Sequence, residues 1–235
     1  MTVTHTDPVG YGLNFVDQDD FPLNPYIGQQ LTLKWHGEIR CQHCGRASKK
    51  SFSQGYCYPC SQRLAQCDLC VMSPERCHYD KGTCREPAWG EEFCMQSHIV
   101  YLANSSGIKV GITRPSQLPT RWLDQGAVQA LPIMRVASRQ LSGFVEVLYK
   151  AHVSDKTHWQ RMLKSSGEPL DLVALRDELY PLVQTEIEAL QATHGLNAVM
   201  PILDVEAQSA LPLAEGRWAG PSASSTRPPP SLAPR

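Results

Sequence analysis

Cys41-x2-Cys44 and Cys57-x2-Cys60 set two pairs of thiols twelve residues apart. Zn²⁺ takes four tetrahedral ligands, with thiolate sulfurs at about 2.3 Å. Two residues between cysteines let one tight turn aim both sulfurs at one ion. Gly45 follows the first pair and Gly55 precedes the second, where turns need permissive backbone. The competing readings are free thiols or a redox pair, and two pairs in tandem weigh against both. A second set follows, Cys67-x2-Cys70, Cys77 and Cys84, with less regular spacing. His78 adjoins Cys77, and Cys94 or His98 can replace a member of this set. An iron–sulfur cluster would also use four thiolates, but the spacing matches no ferredoxin run, so zinc leads. The expectation is two structural zinc ions, one on Cys41, Cys44, Cys57 and Cys60 and one on Cys67, Cys70, Cys77 and Cys84. A closed four-thiolate site has no open position for a reacting water, so no catalysis is expected at either metal.

The elements that must position these thiols are sparse. All nine cysteines fall within residues 41–98, where long apolar stretches are few, so metal must replace a core there. Residues 1–40 read as N-terminal strands, because "YGLNF" and "QQLTLKWHGEIRC" alternate apolar and polar residues around the turn-rich "FPLNPYIG". From 99 the texture changes. "IVYLAN" and "IKVGIT" are short strands joined through "SSG", and "QALPIMRVAS" is a third. "PTRWLDQGA" suits a short helix between Pro119 and Gly126. "GFVEVLYKAHV" carries apolar residues at helical spacing. "LDLVALRDELYPLVQTEIEALQATHG" is a longer helical region, with Asp171 as a cap and Pro181 as a kink or break. The fold class is α+β: a cysteine-rich zinc-ribbon region before a small mixed sheet with flanking helices at 99–164, then an acidic helical region at 165–216. Residues 217–235 are Pro/Ser-rich and expected to be disordered.

Net charge is −1 but unevenly spread. Residues 99–164 hold nine Lys/Arg against three Asp/Glu, whereas 165–216 hold one Arg against nine acids. A basic segment beside an acidic one suits an anion-facing surface, and the plainer reading is an uneven solvated exterior. No apolar run approaches the ~20 residues that span a membrane, and the first residues lack a signal-peptide pattern, so the expected compartment is the cytoplasm.

"HIVYLANSSGIKVGITRPSQLPTRW" resembles the GIY-YIG nuclease superfamily. Tyr101 matches the first motif tyrosine, "KVG" at 109–111 matches the second motif, and Arg121 matches the helical arginine. Glu146 in "GFVEVL" matches the carboxylate that binds a divalent metal in that family. The resemblance implies a Mg²⁺-dependent phosphodiesterase site of Tyr101, Lys109, Arg121 and Glu146, with Mg²⁺ at Glu146. Lys109 departs from the pattern, since the family carries a tyrosine there. The family's late asparagine has no clear match, with Asp155 and Trp159 standing in its region. The runs "CGRASKKSFSQGYCYPC", "CDLCVMSPERCHY", "GTCREPAWGE", "RWLDQGA" and "SGFVEVL" also resemble a bacterial zinc-binding family of unknown function (domain of unknown function family 2797), over roughly residues 10–215. Members of that family continue with a β segment after a sequence like "AEGRWAG", where this chain turns to "PSASSTRPPP". Three functions follow in order: a zinc-stabilised nucleic-acid-binding protein, for DNA or RNA, whose GIY-YIG-like module is degenerate or weakly active; a Mg²⁺-dependent endonuclease of altered site; and a protein-interaction adaptor. Lys109, Arg114, Arg121, Arg135, Arg139 and Lys150 supply the positive charge for the first. No membrane partner is expected.

Overall fold

The computed structural model describes residues 2–204, except 7, 16, 17, 36, 106 and 154–168, together with the backbone of 208–209. The expected tail at 217–235 lies outside the described residues, as do Asp155 and Trp159.

Strands β1 (Thr2–Thr4), β2 (Gly10–Leu13) and β3 (Phe21–Pro22) form an antiparallel meander. It rests beside the sheet's short helix, where His5 Nε2 lies 2.9 Å from Thr120 Oγ1. The strand expected over "QQLTLKW" is absent. Leu33 is 80% and Trp35 74% exposed. Alternation makes a strand only where a neighbour pairs its backbone and covers its apolar side, and among the described residues nothing does. The chain next pairs as a two-residue ribbon, β4 (Ile39–Arg40) with β5 (Ala47–Ser48).

The cysteine-rich region is built from helices of one or two turns: α1 (Tyr58–Arg63), α2 (Leu69–Met72) and α3 (Pro87–Phe93), with 3₁₀ turns at Ala65–Cys67 and Pro74–Arg76. The sheet follows: β6 (His98–Asn104), β7 (Ile108–Thr113), α4 (Thr120–Asp124), β8 (Gln129–Val136) and α5 (Arg139–Lys150). A long helix α6 (Leu172–His194) leads back to β9 (Val199–Pro201) and β10 (Gln208–Ser209). Strand order is β10-β8-β6-β7, with β9 also on β8. The sheet expected as mixed is antiparallel at every described pairing, because β7 and β8 both run against the central β6. The acidic helical segment therefore also completes the sheet, through β9 and β10.

Strand period puts alternate residues on opposite faces, and both faces of β6 are buried. Val100 and Leu102 join Leu141, Val145 and Tyr149 of α5 and Leu172, Leu179, Val183 and Ile187 of α6. Ile99, Tyr101 and Ala103 face Trp122 of α4. Helix α6 runs through Pro181, which is exposed. Four buried side chains on one face outweigh the roughly 3 kcal/mol that an interior proline costs. Glu178, Glu186 and Glu188 sit on the exposed side of α6, so much of the acidic excess is a solvated helix face. Arg176, the segment's one basic residue, is buried and donates from Nη1 to the carbonyls of Ile202 and Leu203, holding the chain just past β9.

Asp171 caps α6 by accepting from the amides of Val173 and Ala174 at 3.1 and 2.9 Å. Asp171→Ala should destabilise the protein by about 1 kcal/mol, read from a urea midpoint shift with an unchanged slope.

Candidate metal centre and the Tyr101 face

The first quartet forms where the β4–β5 ribbon meets α1. The backbone turns at Gly45, with φ at +69°, and the Cys41 carbonyl accepts from the Gly45 amide at 2.9 Å. Cys57 is the residue that caps α1, and Cys60 lies one turn on. The ligand atoms of Cys41, Cys44, Cys57 and Cys60 all lie within 4.8 Å of one another. Cys44 Sγ and Cys57 Sγ are 3.7 Å apart. Sulfurs at 2.3 Å from one tetrahedral ion would stand about 3.8 Å apart. All nine cysteines are free thiols. Burial raises the Cys41 thiol, but the backbone amides of Cys57, Cys44 and His43 outweigh it and bring it down to about 6. Cys60 is pushed up to about 12, by burial first and then by its neighbouring cysteines. Four thiolates gathered at one spot, three of them buried and Cys44 exposed, need a compensating cation, and a dication such as zinc supplies it.

The second set divides. Cys67 packs against Cys41, Cys57, Cys60 and Leu64. Cys70, Cys77 and Cys84 instead line one cavity, together with Cys94. Burial pushes the Cys70 thiol up to about 11, helped by Asp68 and by Cys77, Cys94 and Cys84. Asp68, Cys70 and His78 also bring three ligand atoms within 4.8 Å of one another. His98 is not among the residues that line this cavity. Its Nδ1 lies 2.7 Å from the Gln96 carbonyl, its Nε2 is buried without a partner, and burial drops its pKa to about 4, so the ring is neutral at pH 7.

On the sheet, Tyr101 is fully buried and stands edge-on to Trp122, with ring centroids 6.0 Å apart. Its register partner on β7 is Gly111, where a Cβ would meet the Tyr101 ring at 2.5 Å. Only glycine leaves that room. The Tyr101 hydroxyl donates to Gln125 Oε1 at 2.9 Å. Burial pushes it up to about 12, against the lowering effect of Arg121 and Gln125, and Glu146 adds to the rise. Tyr101 and Arg121 are thus neighbours. Lys109 pairs with Ala103 and Arg135 with Ile99, which places both on the Tyr101 face. Glu146 sits on α5, whose core residues cover the opposite face, and pairs with Lys150 at 3.3 Å. Of the cations expected to act together, three are engaged within the fold. Arg114 lies over the Phe93 ring, Arg139 donates to the Val71 carbonyl, and Lys150 holds Glu146. Gln125, the residue that ends α4 four positions after Arg121, is a further member of this site that the motif match does not name.

These features define an α+β protein with a four-cysteine centre that can hold a metal ion such as zinc. Among the described residues, no helix is long and apolar enough to cross a membrane. The family described as "Protein of unknown function (DUF2797)" matches residues 28–213, and the chain belongs to it. No curated protein matches, and neither does any solved structure.

Proposed function

We propose that the protein binds nucleic acid through the Tyr101 face of the sheet, that zinc on the first quartet is structural, and that any cleavage is weak. The observation that supports this reading most is the placement of Lys109 and Arg135 in register on the face that carries Tyr101, with Arg121 beside it. The resemblance of "HIVYLANSSGIKVGITR" and Glu146 to the GIY-YIG nucleases points the same way. Arg121 is exposed, and its planar fork can hold a phosphate bidentately. Cleavage is a weaker expectation. A general base works best with a pKa near the operating pH, and the Tyr101 hydroxyl is buried, hydrogen-bonded and pushed up to about 12. Lys109 brings a cation where the related enzymes bring a phenol.

The test is a salt titration of binding to single- and double-stranded DNA and RNA, with a parallel cleavage assay in Mg²⁺ and Mn²⁺. Affinity should fall steeply with salt as counterions are released, and each phosphate-contacting cation removed should reduce the slope by about 1. Arg121→Ala should weaken binding most. Fast cleavage lost in Glu146→Ala would replace this reading with the endonuclease. No binding to any of the four at low salt would leave the interaction adaptor, which the exposed Leu33 and Trp35 favour.

A further inference from the structure

We propose that Cys70, Cys77, Cys84 and Cys94 hold a second zinc ion, separate from the first quartet, with Cys94 where the sequence spacing sets Cys67. The four come from four segments. Cys70 lies on α2, Cys77 ends the 3₁₀ turn Pro74–Arg76, Cys84 lies in the loop before α3, and Cys94 ends α3. All four line one cavity of about 10 Å³. That is room for about one water-sized sphere, which suits a single ion and excludes an organic ligand.

The walls are fixed from outside the cavity. The Cys77 carbonyl accepts from Gln140 Nε2 at 2.9 Å. The Cys94 carbonyl accepts from the Arg139 amide at 2.8 Å, and Arg139 Nη2 donates to the Val71 carbonyl, beside Cys70, at 2.7 Å. The first turn of α5 therefore ties down the backbone at three of the four cysteines. At the fourth, Gly90 of α3 comes so close that a Cβ would stand 3.3 Å from Cys84 Sγ. These are the outer contacts by which a protein orients metal ligands.

Asp68 and His78 are nearer to Cys70, but both already have partners. Asp68 Oδ1 accepts from the Cys70 amide, and Oδ2 lies 2.6 Å from Arg85 Nε and 3.5 Å from His78 Nε2. His78 Nδ1 lies 2.8 Å from Thr83 Oγ1. A dication held by Asp68 would face the Arg85 guanidinium. Arg85 lines the same cavity, and four thiolates bring enough negative charge to hold a dication beside it and complete a tetrahedron. Among the described residues only two groups bring three or more ligand atoms within 4.8 Å, and these four sulfurs are not one of them. Zinc binding therefore contracts the cavity, drawing the sulfurs toward the spacing of about 3.8 Å that a tetrahedral ion sets.

The experiment is metal analysis joined to thiol footprinting on the full chain. Wild-type protein should carry two zinc ions, Cys94→Ser one, and Cys67→Ser two. In zinc-loaded wild type, iodoacetamide followed by mass spectrometry should label Cys67 before the other eight cysteines, and chelation should expose all nine. The footprint needs no variant, so it stands even where Cys94→Ser fails to fold. One zinc in the wild type, two retained by Cys94→Ser, a zinc lost in Cys67→Ser, or Cys94 labelled ahead of Cys67 would each overturn the site. Nitrogen or oxygen neighbours in the zinc X-ray absorption spectrum would also overturn it, in favour of Asp68 and His78.

Discussion

Removing zinc by chelation under reducing conditions should abolish amide protection across residues 41–66, while the sheet at 98–136 keeps most of its own. The buried apolar cluster of the ribbon consists of Cys41, Cys57, Cys60 and Leu64, with Tyr56 and Cys67 packed against it. Three of its four buried members are candidate ligands, so the cluster exists largely because the metal gathers it. Structural zinc contributes roughly 10–16 kcal/mol of apparent binding energy in small zinc domains at neutral pH. That matches or exceeds the roughly 5–15 kcal/mol by which whole domains are stable. Cys60→Ser should reproduce the effect, since Cys60 also anchors α1. The measurement is hydrogen exchange of the loaded, stripped and Cys60→Ser proteins, with metal content determined on each. Unchanged protection in fully stripped protein would show that the ribbon folds on its own.

Gly143→Ala should lower the melting temperature, although the same change in an exposed helix raises stability by about 0.5–1 kcal/mol. Gly143 is buried in the middle of α5. A Cβ there would collide with the Glu75 backbone nitrogen and stand 2.8 Å from both the Pro74 carbonyl carbon and its Cβ. Most of what it meets is backbone, so no side chain can swing aside. Overpacking of this kind costs about 1–3 kcal/mol or more. In a chain of this size that corresponds to a fall of very roughly 2–12 °C. Val147→Ala, on the exposed side of the same helix, should move it far less. A gain in stability for Gly143→Ala would mean that α5 and the 3₁₀ turn do not meet as closely as described.

What was legible in the sequence was what neighbours along the chain decide. Cys41, Cys44, Cys57 and Cys60 announce themselves because a knuckle is a single turn. The pairing of β6 with β7, the amphipathic run of α5 and the Asp171 cap likewise follow from residues a few positions apart. What stayed hidden depends on elements meeting in space. Cys67 has the better spacing for the second set, yet it faces the first quartet, and the direction of α3 decides that Cys94 lines the cavity. The core residues of α5 pack on the face opposite Tyr101, yet the Glu146 charge still acts on the Tyr101 hydroxyl, a relation that no spacing along the chain announces. Three-residue β9 is too short to carry a pattern of its own. The alternation of "QQLTLKW" lacks the covering layer that would turn it into a strand.

The late position of β9 has a consequence for how the protein is made. Its residues pair with Met134, Arg135 and Val136 across the whole length of α6, and Val199 is fully buried against them. The ribbon's thiols, by contrast, are all translated within one short stretch. On the ribosome the metal knuckle can close early, whereas the sheet core must wait for Val199 to emerge. Until then β8 carries an open edge, the kind of surface that nascent chains conceal with chaperones or lose to aggregation.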